Sequence, residues 1–348
     1  MNYSLYVLIS FFISLVCTSL VRLIAIRNGH FDDPANESRK VHKYPVPRIG
    51  GIAIFIALIT TLFLVDIEIS SQFGALMLAA TGLFLLGVVD DIKGVRARTK
   101  LFFQIIFAGV VLAGGTGIVD MNVPFLGHLR FDQWIIPLEV FEYEFNVIPI
   151  ANAITIGWIV AIVNAINLID GLDGLAGGVS VIGFGALALM GVLIGGVQAV
   201  VVIAIILIGA TLGFLAHNMS PAKIFLGDSG AYTLGLFLAV LPIYSGTKLA
   251  VGTLVISVAV IDMFWAIARR IITKRPIFSP DRGHIHHQLI DTGLRQGYVV
   301  GAMYIFTLAI AVATVMSGLF AAVSVLVGIF CVIFLWIRYN KYKLSSKQ

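Results

Sequence analysis

Long apolar segments alternate with short polar segments along almost the whole chain. Each apolar segment is long enough for an α-helix to cross the hydrocarbon core of a bilayer. They predict about eleven spans, at 3–26, 49–66, 73–90, 101–119, 147–166, 177–195, 197–216, 230–246, 249–268, 299–317 and 320–337. We therefore expect an all-α polytopic membrane protein with one transmembrane domain over 1–348.

Composition supports this prediction. The chain is 59% hydrophobic and only 12% charged, whereas globular proteins are about 45–50% apolar and about 25% charged. The net charge of +5 is explained by basic residues beside membrane spans, so nucleic acid is not an expected partner. Cys17 and Cys331 both lie in apolar segments and suggest neither a disulfide framework nor a cysteine metal site.

The distribution of basic residues predicts the orientation. Arg22 and Arg27 follow the first apolar segment instead of preceding it, which indicates a retained helix and not a cleaved signal. With the N-terminus outside and the C-terminus cytoplasmic, all but Arg130 and Lys248 of the 23 basic residues face the cytoplasm. The expected cytoplasmic loops are 27–48, 90–100, 164–177, 217–229 and 269–298. In the main outer loop, alternating apolar and acidic residues predict a short β-hairpin near 131–147.

Acidic and amide side chains cluster at two of these cytoplasmic helix ends. Asp90 and Asp91 close the third span, where they either form a hydrated helix end or serve a metal and a substrate group. Asn167 and Asp170, with Asn164 before them and Asp173 after, lie in a glycine-rich stretch of an otherwise apolar chain. Helix packing accounts for the glycines but not for these polar residues.

A third cluster precedes the eighth predicted span. Asp228 opens that span, and either a helix N-cap or a functional role explains it. A cap does not account for Asn218, Lys223 and Phe225 just before it.

Cations form the remaining clusters. The fourth contains Arg282, His284, His286 and His287, and the loop after the first span contains Lys40, Lys43 and Arg48. Three histidines in four residues suggest zinc, but carboxylate-rich surroundings favour a hard cation, Mg²⁺ or Mn²⁺. Cations beside a bilayer suit lipid phosphates. Together the clusters predict transfer of a phosphoryl-linked group from a soluble nucleotide to a lipid phosphate.

Five motifs carry a family resemblance. KVHKYPVPRIGG, GVVDDIKG, NAINLIDGLDGLAGG, PAKIFLGDSGA and SPDRGHIHHQL occur in this order between about 30 and 290. They resemble the polyprenyl-phosphate N-acetylhexosamine-1-phosphate transferases of glycosyltransferase family 4. The histidine motif resembles the WecA/TagO type, which transfers GlcNAc-1-phosphate from UDP-GlcNAc to undecaprenyl phosphate.

The resemblance implies a role for each motif residue. Asp228 would bind Mg²⁺, and Asp90 and Asp91 would serve the metal and the lipid phosphate. Phe225 would stack on uracil beside Asn218 and Asp173, while Asn167 and Asp170 would line the cleft. The remaining residues are cations or histidines that would meet the sugar, diphosphate or lipid phosphate: Arg282, His284, His286, His287, Lys40, Lys43 and Arg48. Asp262, inside the ninth span, is expected to be a structural partner of a loop cation.

The resemblance also implies a bacterial plasma-membrane enzyme with a cytoplasmic site, in contact with membrane lipids. Direct displacement by the lipid phosphate is the expected mechanism, with a covalent aspartyl intermediate as the alternative. UDP-MurNAc-pentapeptide or another UDP-N-acetylhexosamine is the alternative donor, and an anionic-lipid or nucleotide-sugar transporter is the alternative function. The sequence leaves open a homodimer, and whether the product supplies teichoic acid, O antigen or another glycan.

Overall fold

The protein is described from a computed structural model. The structure describes residues 2–29, 31, 45–65, 67–123, 127–140, 143–244, 256–274, 283–317 and 319–345. Three predicted site residues, Lys40, Lys43 and Arg282, lie outside this part of the chain.

Helices dominate the described residues. In chain order they are α1 Tyr3–Arg27, α2 Gly51–Leu62, α3 Ser71–Lys93, α4 Ala97–Ala113, α5 Pro149–Ile169, α6 Leu175–Leu193, α7 Gln198–Asn218, α8 Gly227–Tyr244, α9 Ser257–Ile272, α10 Ile285–Asp291, α11 Gln296–Ser317 and α12 Leu319–Ser345. Four short strands lie between α4 and α5: β1 Asp120–Val123, β2 Gly127–Arg130, β3 Ile136–Val140 and β4 Tyr143–Val147.

Each predicted span overlaps one of these helices. Six helices, namely α1, α3, α5, α6, α7 and α11, are long and apolar enough to cross a membrane, and α2 and α12 contain shorter apolar stretches. The chain is thus a mostly helical polytopic membrane protein. Its number of spans and its orientation stay predictions.

Helix α8 is the centre of the bundle. Every residue from Gly227 to Pro242 is buried, and α8 packs against α2, α3, α5, α6 and α7. Its sequence has apolar or small residues on every side, as expected of a helix enclosed by others. The polar side chains at its N-terminus are therefore held in place by the surrounding helices.

Contacts between helix ends show which termini share a face. Lys100 at the start of α4 reaches Asp90 at the end of α3, and Asn218 at the end of α7 bonds to Gly174 just before α6. At the other end of the bundle, Ser70 before α3 bonds to Tyr244 at the end of α8. The motif-bearing helix ends therefore lie together on one side, which we call the polar face.

The predicted hairpin is present. Strands β3 and β4 pair antiparallel, with Ile136 opposite Val147 and Val140 opposite Tyr143. A second hairpin, β1 with β2, was not predicted, because strands of four residues contain too little alternation to recognise.

The predicted loops are too long in several places. Helix α3 continues to Lys93 and α4 begins at Ala97, so only three residues remain of the 90–100 loop. Helix α5 likewise continues to Ile169. Asp90, Asp91 and Asn167 consequently lie on the last turns of helices, where the helix backbone fixes their direction.

Candidate active site

Three carboxylates from two helices meet on the polar face. Asp90 and Asp91 come from the end of α3, and Asp228 comes from the first turn of α8. One oxygen of each lies within 4.8 Å of the others. The structure thus brings together the first and third sequence clusters, 137 residues apart in the chain for Asp91 and Asp228.

Asp228 is the most heavily bonded of the three. Its Oδ1 accepts hydrogen bonds from Arg48 Nη2 at 2.6 Å and from Asn167 Nδ2 at 3.1 Å. Its Oδ2 accepts from Lys100 Nζ at 2.7 Å and from the Tyr232 hydroxyl at 2.8 Å. The carboxylate is therefore turned into the site and does not cap its own helix.

Asp91 caps α8 instead. Its Oδ1 accepts from the backbone N–H of Asp228 at 2.7 Å, and its Oδ2 accepts from the Ser229 hydroxyl at 2.7 Å and the Ser229 N–H at 3.1 Å. A carboxylate at a helix N-terminus is favoured by the unpaired N–H groups and the helix dipole. Asp91 therefore joins α3 to α8 and fixes the position of Asp228.

Asp90 has a different environment. Its Oδ1 accepts from the Val95 N–H at 2.6 Å, which closes the α3–α4 turn. Its Oδ2 meets Lys100 Nζ at 2.7 Å. Because an ammonium on a long side chain can move away, this oxygen is the one most readily exchanged for a ligand.

Lys100 and Tyr232 are site residues that the sequence analysis missed. Lys100 was counted only as a basic residue beside a span, yet it bridges Asp90 and Asp228. Tyr232 looks like an ordinary core aromatic. Tyr232 could have been recognised from its position four residues after Asp228, because this spacing places both side chains on one face of α8.

The three carboxylates fit a divalent cation. Arg48 and Lys100 already place positive charge among them, at 2.6 Å and 2.7 Å from Asp228 oxygens. Mg²⁺ commonly binds through one or two carboxylates together with substrate phosphates. Asp91 Oδ1 also lies 3.8 Å from Arg48 Nε, but both Asp91 oxygens accept hydrogen bonds from the start of α8. Asp228 and Asp90 are therefore the residues that could hold such an ion.

Gly227 permits the close approach of the surrounding elements. It has a φ of +74°, in the left-handed region, and a Cβ there would meet the carbonyl oxygen of Arg48 and, at 2.5 Å, Asp91 Oδ2. Its N–H donates to Asp170, which follows the end of α5. Burial raises the pKa of the Asp170 carboxyl well above its usual range, while the nearby Arg48 charge opposes this rise.

Asp173 and Asn218 connect the second and third clusters. Asp173 Oδ2 accepts from the Ala222 N–H at 3.1 Å. The buried Asn218 accepts from the Gly174 N–H at 3.0 Å and donates to the Ile224 carbonyl at 2.8 Å. Both side chains therefore hold the 219–226 loop in place, and their expected position beside a uridine stays a prediction.

The backbone of Phe225 is anchored on both sides. Its N–H donates to the Pro47 carbonyl at 2.7 Å, and its carbonyl accepts from the Gly50 N–H at 2.9 Å. Its side chain is only partly buried. The backbone of Phe225 is thus fixed against the segment 47–50, which contains Arg48.

The histidine segment lies against the second cluster. A Cβ on Gly171 would be 3.1 Å from His286 Nε2 and 3.6 Å from His287 Nε2. His286 is 1% exposed, and neither of its ring nitrogens has a hydrogen-bond partner among the residues that the structure describes. Burial lowers the pKa of His286 to about 3. This shift favours the neutral imidazole, and the expected contact of His286 with the sugar or diphosphate stays a prediction.

Asp262 holds the histidine segment to α9. Its Oδ2 lies 3.1 Å from His284 Nδ1, and its Oδ1 accepts from the Ile285 N–H at 2.9 Å. Arg269, two turns further along α9, donates to the Gly283 carbonyl at 2.7 Å. Asp262 thus has the structural role that was expected, and its partner is a histidine. Of the histidines, His287 is the most exposed to the site.

Comparisons with known proteins identify the family of the chain. The profile of glycosyl transferase family 4 matches residues 73–246. A probable undecaprenyl-phosphate N-acetylglucosaminyl 1-phosphate transferase of Bacillus subtilis is 35% identical over 86% of this chain and 80% of its own length. A decaprenyl-phosphate N-acetylglucosaminephosphotransferase of Mycobacterium tuberculosis is 31% identical over 84% and 77%. A phospho-N-acetylmuramoyl-pentapeptide-transferase of Staphylococcus epidermidis is 29% identical over 72% and 79%.

Proposed function

Because the chain belongs to glycosyl transferase family 4, we propose that it transfers GlcNAc-1-phosphate from UDP-GlcNAc to undecaprenyl phosphate. The products are UMP and undecaprenyl-diphosphate-GlcNAc. The observation that supports this proposal most strongly is the meeting of Asp90, Asp91 and Asp228 with Arg48 and Lys100. Carboxylates for a metal and cations for phosphates are the two requirements of phosphoryl transfer.

The donor is proposed to bind with its uridine over the 219–226 loop. Phe225 is anchored beside Arg48, so a ring stacked on uracil would place the diphosphate near the Arg48 guanidinium. A Mg²⁺ held by Asp228 would supply charge that stabilises the diphosphate. Lys100 then exchanges its carboxylate contacts for a phosphate oxygen.

The acceptor phosphate is proposed to attack the β-phosphorus of UDP-GlcNAc. An oxygen of the lipid phosphate forms the new P–O bond, and the bond from that phosphorus to the UMP oxygen breaks. Asp90 keeps the lipid phosphate deprotonated, since its Oδ2 meets the movable ammonium of Lys100. Asp91 is assigned a holding role, because both its oxygens bond to the N-terminus of α8. Arg48 and Lys100 stabilise the negative charge on UMP as it leaves.

The other predicted residues complete the proposed site. Asn167 orients Asp228, and Asp170 supports Gly227. His287, with Arg282, is proposed to contact the sugar or diphosphate, while Lys40 and Lys43 are proposed to receive the lipid phosphate. The site is proposed to face the cytoplasm of a bacterial cell, where UDP-sugars are available.

The experiment that tests the donor uses the purified protein with undecaprenyl phosphate and Mg²⁺. UDP-GlcNAc, UDP-GalNAc and UDP-MurNAc-pentapeptide are supplied separately, and UMP and lipid-linked sugar are measured. We expect both products from UDP-GlcNAc. Turnover with only another donor would correct the sugar, and no UMP from any donor would overturn the transferase. UDP-GlcNAc incubated without lipid should leave no sugar phosphate on the protein, whereas a trapped adduct would establish the two-step mechanism.

A further inference from the structure

A second group of cations lies on the polar face, at the ends of α1 and α7. It consists of Arg22, His217 and Lys223, and we call it the α1–α7 cation cluster. Arg22 Nε donates to the Lys223 carbonyl at 3.2 Å, and His217 Nε2 lies 3.0 Å from the Ser19 hydroxyl. The charges of Arg22 and Lys223 both act on the His217 ring. Two elements separated by about two hundred residues therefore bring their cations together.

In the part of the chain that the structure describes, no carboxylate pairs with this cluster to balance its charge. Among the described residues, no ion pair includes Arg22 or Lys223. Arg48 and Lys100, in contrast, are both paired with aspartates. Like charges that converge without a counter-ion repel one another, so an anion bound between them would stabilise the arrangement.

Exposed apolar side chains lie on the last two turns of α1, the helix that carries Arg22. Leu20, Leu23 and Ile24 of α1 are 53%, 46% and 54% exposed. In a membrane protein, such side chains are expected to face lipid chains. Cations at the helix end and apolar residues along the helix together match the two parts of a phospholipid.

We propose that the α1–α7 cation cluster binds the phosphate of an anionic phospholipid, with the acyl chains lying along Leu20, Leu23 and Ile24. The guanidinium of Arg22 and the ammonium of Lys223 contact the phosphate oxygens, and His217 orients the pair. The site is separate from the three carboxylates, and the proposal depends only on the protein lying in a bilayer, not on the transferase activity.

Occupancy of this site restrains the loop that presents Phe225. Lys223 N–H donates to the His217 carbonyl at 2.8 Å, and the neighbouring Ala222 N–H donates to Asp173. A lipid that holds Arg22 to Lys223 therefore also holds the loop between α7 and α8. We expect the loop to be more ordered in bilayers that contain anionic lipid.

The test uses the full chain in lipid nanodiscs of phosphatidylcholine, with or without phosphatidylglycerol. Bound phosphatidylglycerol is counted by native mass spectrometry, and amide hydrogen exchange is measured over residues 219–226. The variants are Arg22→Gln, Lys223→Gln and the double variant. Arg27→Gln is the matched control, since it removes an exposed cation from the same helix.

The wild type should retain phosphatidylglycerol in preference to phosphatidylcholine and show slower exchange in its presence. Each single variant should weaken retention about fivefold, the effect expected of one basic residue at an anionic surface, while Arg27→Gln retains wild-type binding. Equal retention by the double variant would overturn the proposal. So would displacement of the phospholipid by inorganic phosphate, because a free anion would then be the ligand. Displacement by undecaprenyl phosphate alone would likewise overturn it, by making the cluster a docking point for the acceptor.

Discussion

At the scale of single residues, the charge around Asp228 is balanced by two cations from distant parts of the chain. Arg48 precedes α2 and Lys100 lies in the first turn of α4, yet both contact this one carboxylate. A buried carboxylate without a partner would be costly, so these contacts stabilise the site when no metal or substrate is bound. A metal held by Asp228 would take over this charge balance, and Arg48 and Lys100 would then contact phosphate oxygens.

Replacement of Lys100 by glutamine separates these two roles. Lys100→Gln removes a cation that competes with the metal, so Mn²⁺ should bind more tightly, as measured by electron paramagnetic resonance. The same change removes a group that stabilises the leaving phosphate, and kcat should fall by roughly 10²-fold. Lys93→Gln, at the exposed end of α3, is the control and should change neither quantity. Weaker Mn²⁺ binding in Lys100→Gln would show that Lys100 does not compete with the metal for the carboxylates.

Buried His286 predicts a specific pH dependence of stability. An unfolded histidine has a pKa of about 6.5, whereas burial lowers the pKa of His286 to about 3. Between these values the unfolded state binds one more proton, so stability present above pH 6.5 is lost as the pH falls towards 3. Between pH 7.5 and 5.5 the expected loss is about 1 kcal/mol.

The measurement for His286 is thermal unfolding of the detergent-solubilised protein at several pH values. His286→Gln should be less stable at pH 7.5 but should lose less stability on acidification. An unchanged pH dependence in this variant would assign the acid sensitivity to other groups.

At the scale of elements, the start of α8 depends on close contact between three segments. Gly227→Ala requires an L-residue at a φ of +74° and also pushes a Cβ into the Arg48 carbonyl and Asp91. Gly29→Ala is a matched control, since Gly29 has a φ of +70° and nothing within 4 Å of its Cβ position. The control should cost only the conformational penalty of about 1–2 kcal/mol. Gly227→Ala should be destabilised further and lose most transferase activity, as measured by unfolding and UMP release. Equal losses of stability in the two variants would show that the close approach of Gly227 to Arg48 and Asp91 does not matter for stability.

The sequence was sufficient to predict the elements whose patterns are long and regular. Apolar segments identified the helices, and five separate motifs identified the family before any contact was known. The β1–β2 hairpin was missed because its strands are too short for a period to show. The exact ends of α3 and α5 were missed because polar residues at a helix end look like loop residues.

Contacts between distant elements were not predictable from spacing alone. Asp91 caps α8 across 137 residues, and no local pattern distinguishes it from Asp90 beside it. Lys100 resembles every other basic residue near a span. The burial of His286 beside His284 and Gly171 is likewise a product of tertiary packing that the sequence does not show.

At the scale of the whole molecule, the orientation in the membrane can be tested by labelling. The basic residues predict the polar face inside and the hairpins outside. With Cys17 and Cys331 replaced by serine, a single cysteine at Arg130 in β2 should react with an impermeant maleimide added to intact cells. A cysteine at Arg98 in α4 should react only after the cells are opened. The opposite result would invert the topology and place the carboxylates outside.

The central claim is that sugar-phosphate transfer occurs at the Asp90, Asp91 and Asp228 cluster and requires a divalent cation. The most direct test compares UMP release and lipid-linked GlcNAc in the wild type, in the chelated wild type and in Asp228→Asn, with folding checked by thermal unfolding. The account predicts equal amounts of both products in the wild type, their recovery when Mg²⁺ is restored after chelation, and at least roughly 10²-fold less in Asp228→Asn. Undiminished turnover by a folded Asp228→Asn variant, or by the chelated wild type, would contradict it.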